Sequence, residues 1–196
     1  MVSKIVVAMT GASGAGYGVK LLQGLNDLGE DRPEIMVVTN RVARSMLVRE
    51  ENMRSEDLTH MADTSLDAAE MDVEEASGSN TFDAIAICPC TVSTASRIAN
   101  GIGDNLTTRL ASVALKERRK LILAVRETPL STPVLENLAA LSRYGAVVMP
   151  ISPPMYGGVR TVEDIQRNFA GRILDLLGFE NKLTTRYEPP EAINDF

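Results

Sequence analysis

Five short apolar runs set the architecture of this 196-residue chain: KIVVAM (4–9), EIMVVT (34–39), DAIAICP (83–89), KLILAV (120–125) and GAVVMP (145–150). Each is nearly continuous in Val, Ile, Leu, Met and Ala. A strand with one wet face carries a polar residue at every second position, so continuous runs predict strands covered on both faces. Between the runs the period becomes helical. Tyr17, Leu21, Leu25 and Leu28 share a helix face after the first run, and Leu106, Leu110 and Val113 do so before the fourth. In the last helix Thr161, Glu163 and Asp164 form the start, Ile165, Phe169, Ile173 and Leu176 the stripe, and Gly178 the stop. Strands alternating with helices predict a single three-layer, doubly wound α/β domain on a parallel sheet with right-handed crossovers. That domain fits residues 1–179, and 44% hydrophobic residues suffice to fill its core. Residues 180–196 are polar, contain Pro189-Pro190, and read as an arm that gains order against a neighbouring subunit.

Charge and composition exclude several functions. With 26 acids against 20 bases the net charge is −6, which disfavours general binding to nucleic acid or to an anionic membrane. There is no charged segment followed by a long apolar one and no apolar run near eighteen residues, so neither a signal peptide nor a membrane span is expected, and the expected location is cytoplasmic. Cys88 and Cys90 flank Pro89, too close for a comfortable disulfide and without C-x-x-C spacing; they read as small packed residues. His60 is the only histidine and has no nucleophile motif near it. A Ser-His-Asp triad and a histidine metal site are both disfavoured.

In a doubly wound sheet, ligands sit outside the carboxyl ends of the strands, so the residues following each run are the candidates. After the first comes TGASGAGYG (10–18), whose glycines admit a ligand to the backbone while the following helix offers free N–H groups. The same turn also serves tight helix–sheet packing. It is not a dinucleotide fingerprint, because Val19 holds a position that requires glycine and the second run ends in Thr39-Asn40 instead of an acid. After the third run, Thr91, Ser93 and Thr94 suit a phosphate or a flavin edge, or cap the next helix. After the fourth, Arg126 can hold a phosphate or carboxylate and Glu127 can move a proton, unless the two form a surface ion pair. Arg109 and Lys116 are seven residues apart on one helix face. SPPMY (152–156) brings a hydroxyl-bearing aromatic, and Arg172 falls beside the apolar stripe of the last helix, where it snorkels or binds an anion.

Together, TGASGAGYG, ASGS (76–79), CPCTVSTASRIANGIGDNL (88–106), LKERRKLILAVRETPL (115–130) and PPMYGGVRTVEDIQRNFAGRILDLLG (153–178) resemble the UbiX-type flavin prenyltransferases, in order and over nearly the whole chain before Phe179. The resemblance implies a flavodoxin/Rossmann-like fold. It also implies transfer of a dimethylallyl group from dimethylallyl monophosphate or diphosphate to reduced FMN, at N5 and then C6, with the prenylated FMN passing to a UbiD-type decarboxylase. No metal is implied, and relatives assemble as dodecamers, so a homododecamer is expected.

The same resemblance assigns roles. Gly11, Ala12 and Ser13 match the first FMN-binding turn, with Ser13 near the reacting centre, and Asn40 stands where many relatives have Ser. Thr91, Val92, Ser93 and Thr94 match the second FMN segment, and Arg126 the FMN-contacting arginine. Lys116, Tyr156 and Arg172, with Arg126 nearby, match the groups that hold the prenyl phosphate; Glu50 and Glu127 match the two acids of the site. The chain has no Trp, so tryptophans that shape the prenyl pocket in some relatives are missing, and Tyr187 stands in for the one in the tail. A flavin-dependent decarboxylase or a flavoprotein reductase of the same fold is the alternative.

Overall fold

The computed structural model describes residues 2–152, 154–155, 159–187 and 189. Six strands, β1 (Lys4–Met9), β2 (Glu34–Thr39), β3 (Thr64–Asp67), β4 (Ala84–Cys90), β5 (Lys120–Val125) and β6 (Val147–Pro150), pair in parallel in the order β3-β2-β1-β4-β5-β6. The five apolar runs became β1, β2, β4, β5 and β6. Three boundaries moved: Asp83 lies outside β4 and accepts the Ser3 and Lys4 backbone N–H groups through its carboxylate, β4 runs on through Cys90, and Gly145 and Ala146 precede β6. β3, with the sequence TSLD, was not anticipated. It is an edge strand, partly exposed along its length, and has no apolar run to betray it.

Among the described residues seven α-helices connect and cover the sheet: α1 (Ala15–Asn26), α2 (Arg41–Glu51), α3 (Ser55–Thr59), α4 (Val92–Ala99), α5 (Leu106–Lys116), α6 (Thr132–Arg143) and α7 (Val162–Leu177). The alternation of β1 explains its continuous hydrophobicity. Ile5, Val7 and Met9 enter one core with Leu21, Leu22 and Leu25 of α1, Leu47 of α2, Leu58 of α3 and Phe169 of α7. Val6 and Ala8 enter the other with Ile98 of α4, Leu110 of α5 and Leu141 of α6. Each fully buried Leu or Ile here contributes about 1.5–3 kcal/mol by removal from water. The start and stop of α7 are as expected from sequence: Thr161 and Asp164 form a capping box, and Gly178 closes the helix at φ 93°.

The chain leaves β1 toward β2 on one side and leaves β4 toward β5 on the other, so the order reverses between β1 and β4. This switch point opens a crevice at the carboxyl rim of the sheet.

Candidate active site

At the switch point two turns are tied together by Thr10, which is 2% exposed. Its hydroxyl donates to the Pro89 carbonyl at 2.8 Å and accepts the Thr91 N–H at 2.9 Å. The first turn continues through Gly11, Ala12 and Ser13 to Gly14, which caps α1 at φ 104°, a conformation that favours glycine. The glycine-rich stretch also serves packing. A Cβ on Gly18 would lie 2.4 Å from the Cys88 carbonyl oxygen, so α1 can press against β4 only because that side chain is missing.

The amino terminus of α1 is occupied by an acid from the far end of α2. Glu50 Oε2 accepts the Gly14 N–H at 2.7 Å and the Ala15 N–H at 2.8 Å. Burial alone would raise the Glu50 carboxyl. The hydrogen bonds from Ala15, the Ser13 hydroxyl and Gly14, with the charge of Arg126, outweigh it and hold the group below its ordinary range. Ser13, Glu50 and Arg126 thus form one electrostatic unit.

The second turn starts α4. Thr91 Oγ1 accepts the Thr94 N–H at 3.1 Å and donates to Thr94 Oγ1 at 2.9 Å, and the Thr91 carbonyl accepts the Ala95 N–H at 3.0 Å. Thr91 is therefore a helix cap, and the N–H groups of Val92 and Ser93 stand at the helix start, where no intrahelical acceptor exists. Asn40 ends β2 in the same way: its Oδ1 accepts the Ala43 N–H at 2.8 Å and caps α2, which leaves the amide nitrogen as a donor on the rim.

Arg126 and Glu127 leave β5 beside these turns. The Arg126 backbone N–H donates to the Cys90 carbonyl at 3.1 Å, and Glu127 Oε1 accepts the Thr128 N–H at 3.0 Å. Ser13, Tyr17, Arg126, Glu127 and Ile151 line a common cavity of about 350 Å³. Tyr17, which helical spacing puts on the apolar stripe of α1, packs edge-on against Phe169, with ring centroids 5.2 Å apart, and also faces the cavity. Burial raises its phenol above the usual range. A wider cavity of about 420 Å³ lies between α1 and the segment after α7. It mixes Asp27, Asp31 and Glu180 with Arg167 and Lys182 and lies away from the carboxyl rim, so the smaller one is the better candidate.

Lys116 and Arg172, two of the expected phosphate ligands, do not join this cavity within one chain. Lys116 ends α5, next to the start of β5 and therefore at the opposite rim, where its ammonium lies 3.1 Å from Glu117 Oε1. Arg109, on the same helix, donates through Nε to the Ala76 carbonyl at 2.9 Å instead of approaching the cavity. Arg172 lies in the second half of α7, which descends from the rim, and pairs with Asp175 at 2.8 Å. Tyr156 is outside the described residues.

Burial pushes the Cys90 thiol up to about 12 and Cys88 higher still, so both stay protonated, as expected of packed residues. No helix among the described residues is long and apolar enough to cross a membrane.

Comparison with known proteins agrees with this geometry. The family described as Flavoprotein matches residues 2–174. The flavin prenyltransferase UbiX of Methanothermobacter thermautotrophicus is 40% identical over 187 residues, covering 95% of this chain and 96% of that protein. The flavin prenyltransferase LpdB of Lactiplantibacillus plantarum is 38% identical over 94% of this chain and 98% of its own. The crystal structure of AnUbiX (PadA1) in complex with FMN and dimethylallyl pyrophosphate superposes with a TM-score of 0.92 at 35% identity, covering 97% of this chain and 100% of that one. A dodecameric FMN-dependent UbiX-like decarboxylase from Escherichia coli O157:H7 superposes with a TM-score of 0.91 at 38% identity, covering 95% and 100%. With near-complete coverage at about 40% identity and the matching fold, the chain belongs to the UbiX-type flavin prenyltransferases, a transferase family within the flavoproteins.

Proposed function

We propose that this protein joins a dimethylallyl group, carried by dimethylallyl monophosphate or diphosphate, to reduced FMN, and that the product serves a UbiD-type decarboxylase. The observation that carries the reading is the convergence of Ser13, Glu50, Arg126 and Glu127 at the switch point of the sheet. The donor set there suits a flavin mononucleotide. The Gly11-Ala12-Ser13 turn, the Asn40 amide, the helix-start N–H groups of Val92 and Ser93, the Thr91 and Thr94 side chains and Arg126 offer hydrogen-bond donors and positive charge for a phosphate and a polar ring edge.

When bound, reduced FMN supplies nucleophilic N5, then C6, and a π-face against which an allylic cation is sheltered. The chain's own task is charge control. Lys116, Arg126 and Arg172 with the Tyr156 hydroxyl stabilise the departing phosphate, so the transfer needs no metal. Glu127, open to the cavity, accepts the proton released at the second bond, with the freed phosphate as its partner. Glu50 keeps the Ser13 hydroxyl oriented through their hydrogen bond. Because Lys116 and Arg172 lie away from the cavity of their own chain, neighbouring copies contribute them, which requires the assembled homododecamer.

The test is anaerobic incubation of the protein with reduced FMN and either phosphate donor, followed by the mass of the flavin. A gain of one dimethylallyl unit is expected. An unchanged flavin with both donors, together with carbon dioxide release from an aromatic acid, would establish the decarboxylase alternative instead.

A further inference from the structure

The segment that follows α7 doubles back onto that helix, and one carboxylate holds it. Asp175 Oδ2 accepts Arg172 Nη1 and Arg186 Nη1, each at 2.8 Å. Its Oδ1 accepts Arg186 Nη2 at 2.8 Å and Asn181 Nδ2 at 2.9 Å. The contact is close: a Cβ on Gly171 would lie 2.6 Å from the Thr184 backbone nitrogen. Burial would raise the Asp175 carboxyl, but Arg186, Asn181 and Arg172 hold it below its ordinary range, so it stays ionised.

Among the described residues, two guanidiniums share this one carboxylate, so the cluster carries a net positive charge. The acid is 16% exposed, whereas the side chains of Arg172 and Arg186 are 50% and 58% exposed. Of five N–H donors on each, Arg172 spends one and Arg186 two on Asp175. Since both Nη1 atoms touch the same oxygen, they are near enough for one anion to bridge them. A second observation lies on the same helix face. Asn168, four residues before Arg172 and seven before Asp175, is 2% exposed, and neither its amide nitrogen nor its oxygen has a hydrogen-bond partner among the described residues. This strip of α7 holds more hydrogen-bonding capacity than the described residues of its own chain use.

We propose that Arg186 is a second anion ligand of the prenyl-donor site, which takes the distal phosphate of a dimethylallyl diphosphate, while Arg172 takes the phosphate that both donors share. The inference rests on the reading of Arg172 as a prenyl-phosphate ligand. A monophosphate presents one phosphoryl group, for which Lys116, Arg126, Tyr156 and Arg172 suffice; a diphosphate presents another, and Arg186, which shares an Asp175 oxygen with Arg172, is the cation placed beside it. The segment after α7 thereby sets donor preference.

The experiment measures KM for both donors with the full-length assembled protein and reduced FMN. Arg186→Ala is expected to raise the ratio of KM for the diphosphate to KM for the monophosphate about tenfold, the loss of one charge-assisted contact, and Arg186→Lys to restore part of it. Asn181→Ala loosens the segment without removing charge and is expected to leave the ratio unchanged. A wild-type enzyme confined to the monophosphate, an unchanged ratio in Arg186→Ala, or a ratio shifted equally by Asn181→Ala would each overturn the proposal. Arg172→Ala separates it from its foundation. If that variant leaves both KM values at wild-type level, the assignment of Arg172 itself is wrong, whatever Arg186 does.

Discussion

Glu50, at the carboxyl end of α2, caps the amino terminus of α1 by accepting the Gly14 and Ala15 N–H groups at 2.7 and 2.8 Å. A contact between residues 36 apart in sequence thus satisfies the helix end that faces the cavity. Folding holds this carboxyl below its ordinary value of 4.5, so its stabilising contribution is complete above that value and is lost as pH falls through the folded one. Glu50→Gln should cost about 0.5 kcal/mol at neutral pH and flatten the acid limb of stability, as measured by denaturant midpoints at a series of pH values. Parallel acid limbs in the two proteins would show that the cap carries no charge effect.

Glu127→Gln should bind FMN as the wild type does and consume the prenyl donor, yet form finished product at least about a hundredfold more slowly. Flavin fluorescence gives the binding and stopped-flow absorbance the rate. A wild-type rate would remove Glu127 from the proton-handling role.

Chains carrying Lys116→Ala should be inactive alone, and so should chains carrying Arg126→Ala. Unfolded together and reassembled, they should regain activity, because some sites then draw an intact Arg126 from one copy and an intact Lys116 from another. Absence of any recovery in reassembled mixtures would mean that both residues serve the site from a single chain.

Gly18→Ala should lower stability by about 1–3 kcal/mol, because the new methyl meets the Cys88 carbonyl, which is backbone and cannot swing aside. The melting temperature checks this. A neutral result would mean that α1 can shift off β4 without cost.

Neither cysteine should react with iodoacetamide at neutral pH while the protein is folded, because burial keeps both thiols protonated. Intact-mass measurement before and after denaturation tests it, with two alkylations expected only after unfolding.

Much of the fold was legible because strands covered on both faces leave continuous apolar runs, as β1 and β5 do. TSLD was not, because an edge strand gains its order from the pairing of Met36 to Thr39 with Thr64 to Asp67, and pairing leaves no local mark. At the site, Arg126 and Glu127 could be read from their place after an apolar run. The capping by Glu50 and the second surface of Tyr17 could not, since both depend on how helices meet. Helix spacing picked out Lys116 and Arg172 and the resemblance gave them a phosphate-binding role, but neither records which copy of the chain a side chain serves.

Thr10 gives the crevice a mechanical property. Its hydroxyl links the Pro89 carbonyl to the Thr91 N–H, so the turns after β1 and β4 behave as one stiff jaw instead of two loose lips. Substitutions in one turn will therefore be felt in the other, and reshaping this crevice for a different ligand will call for paired changes on both sides of Thr10.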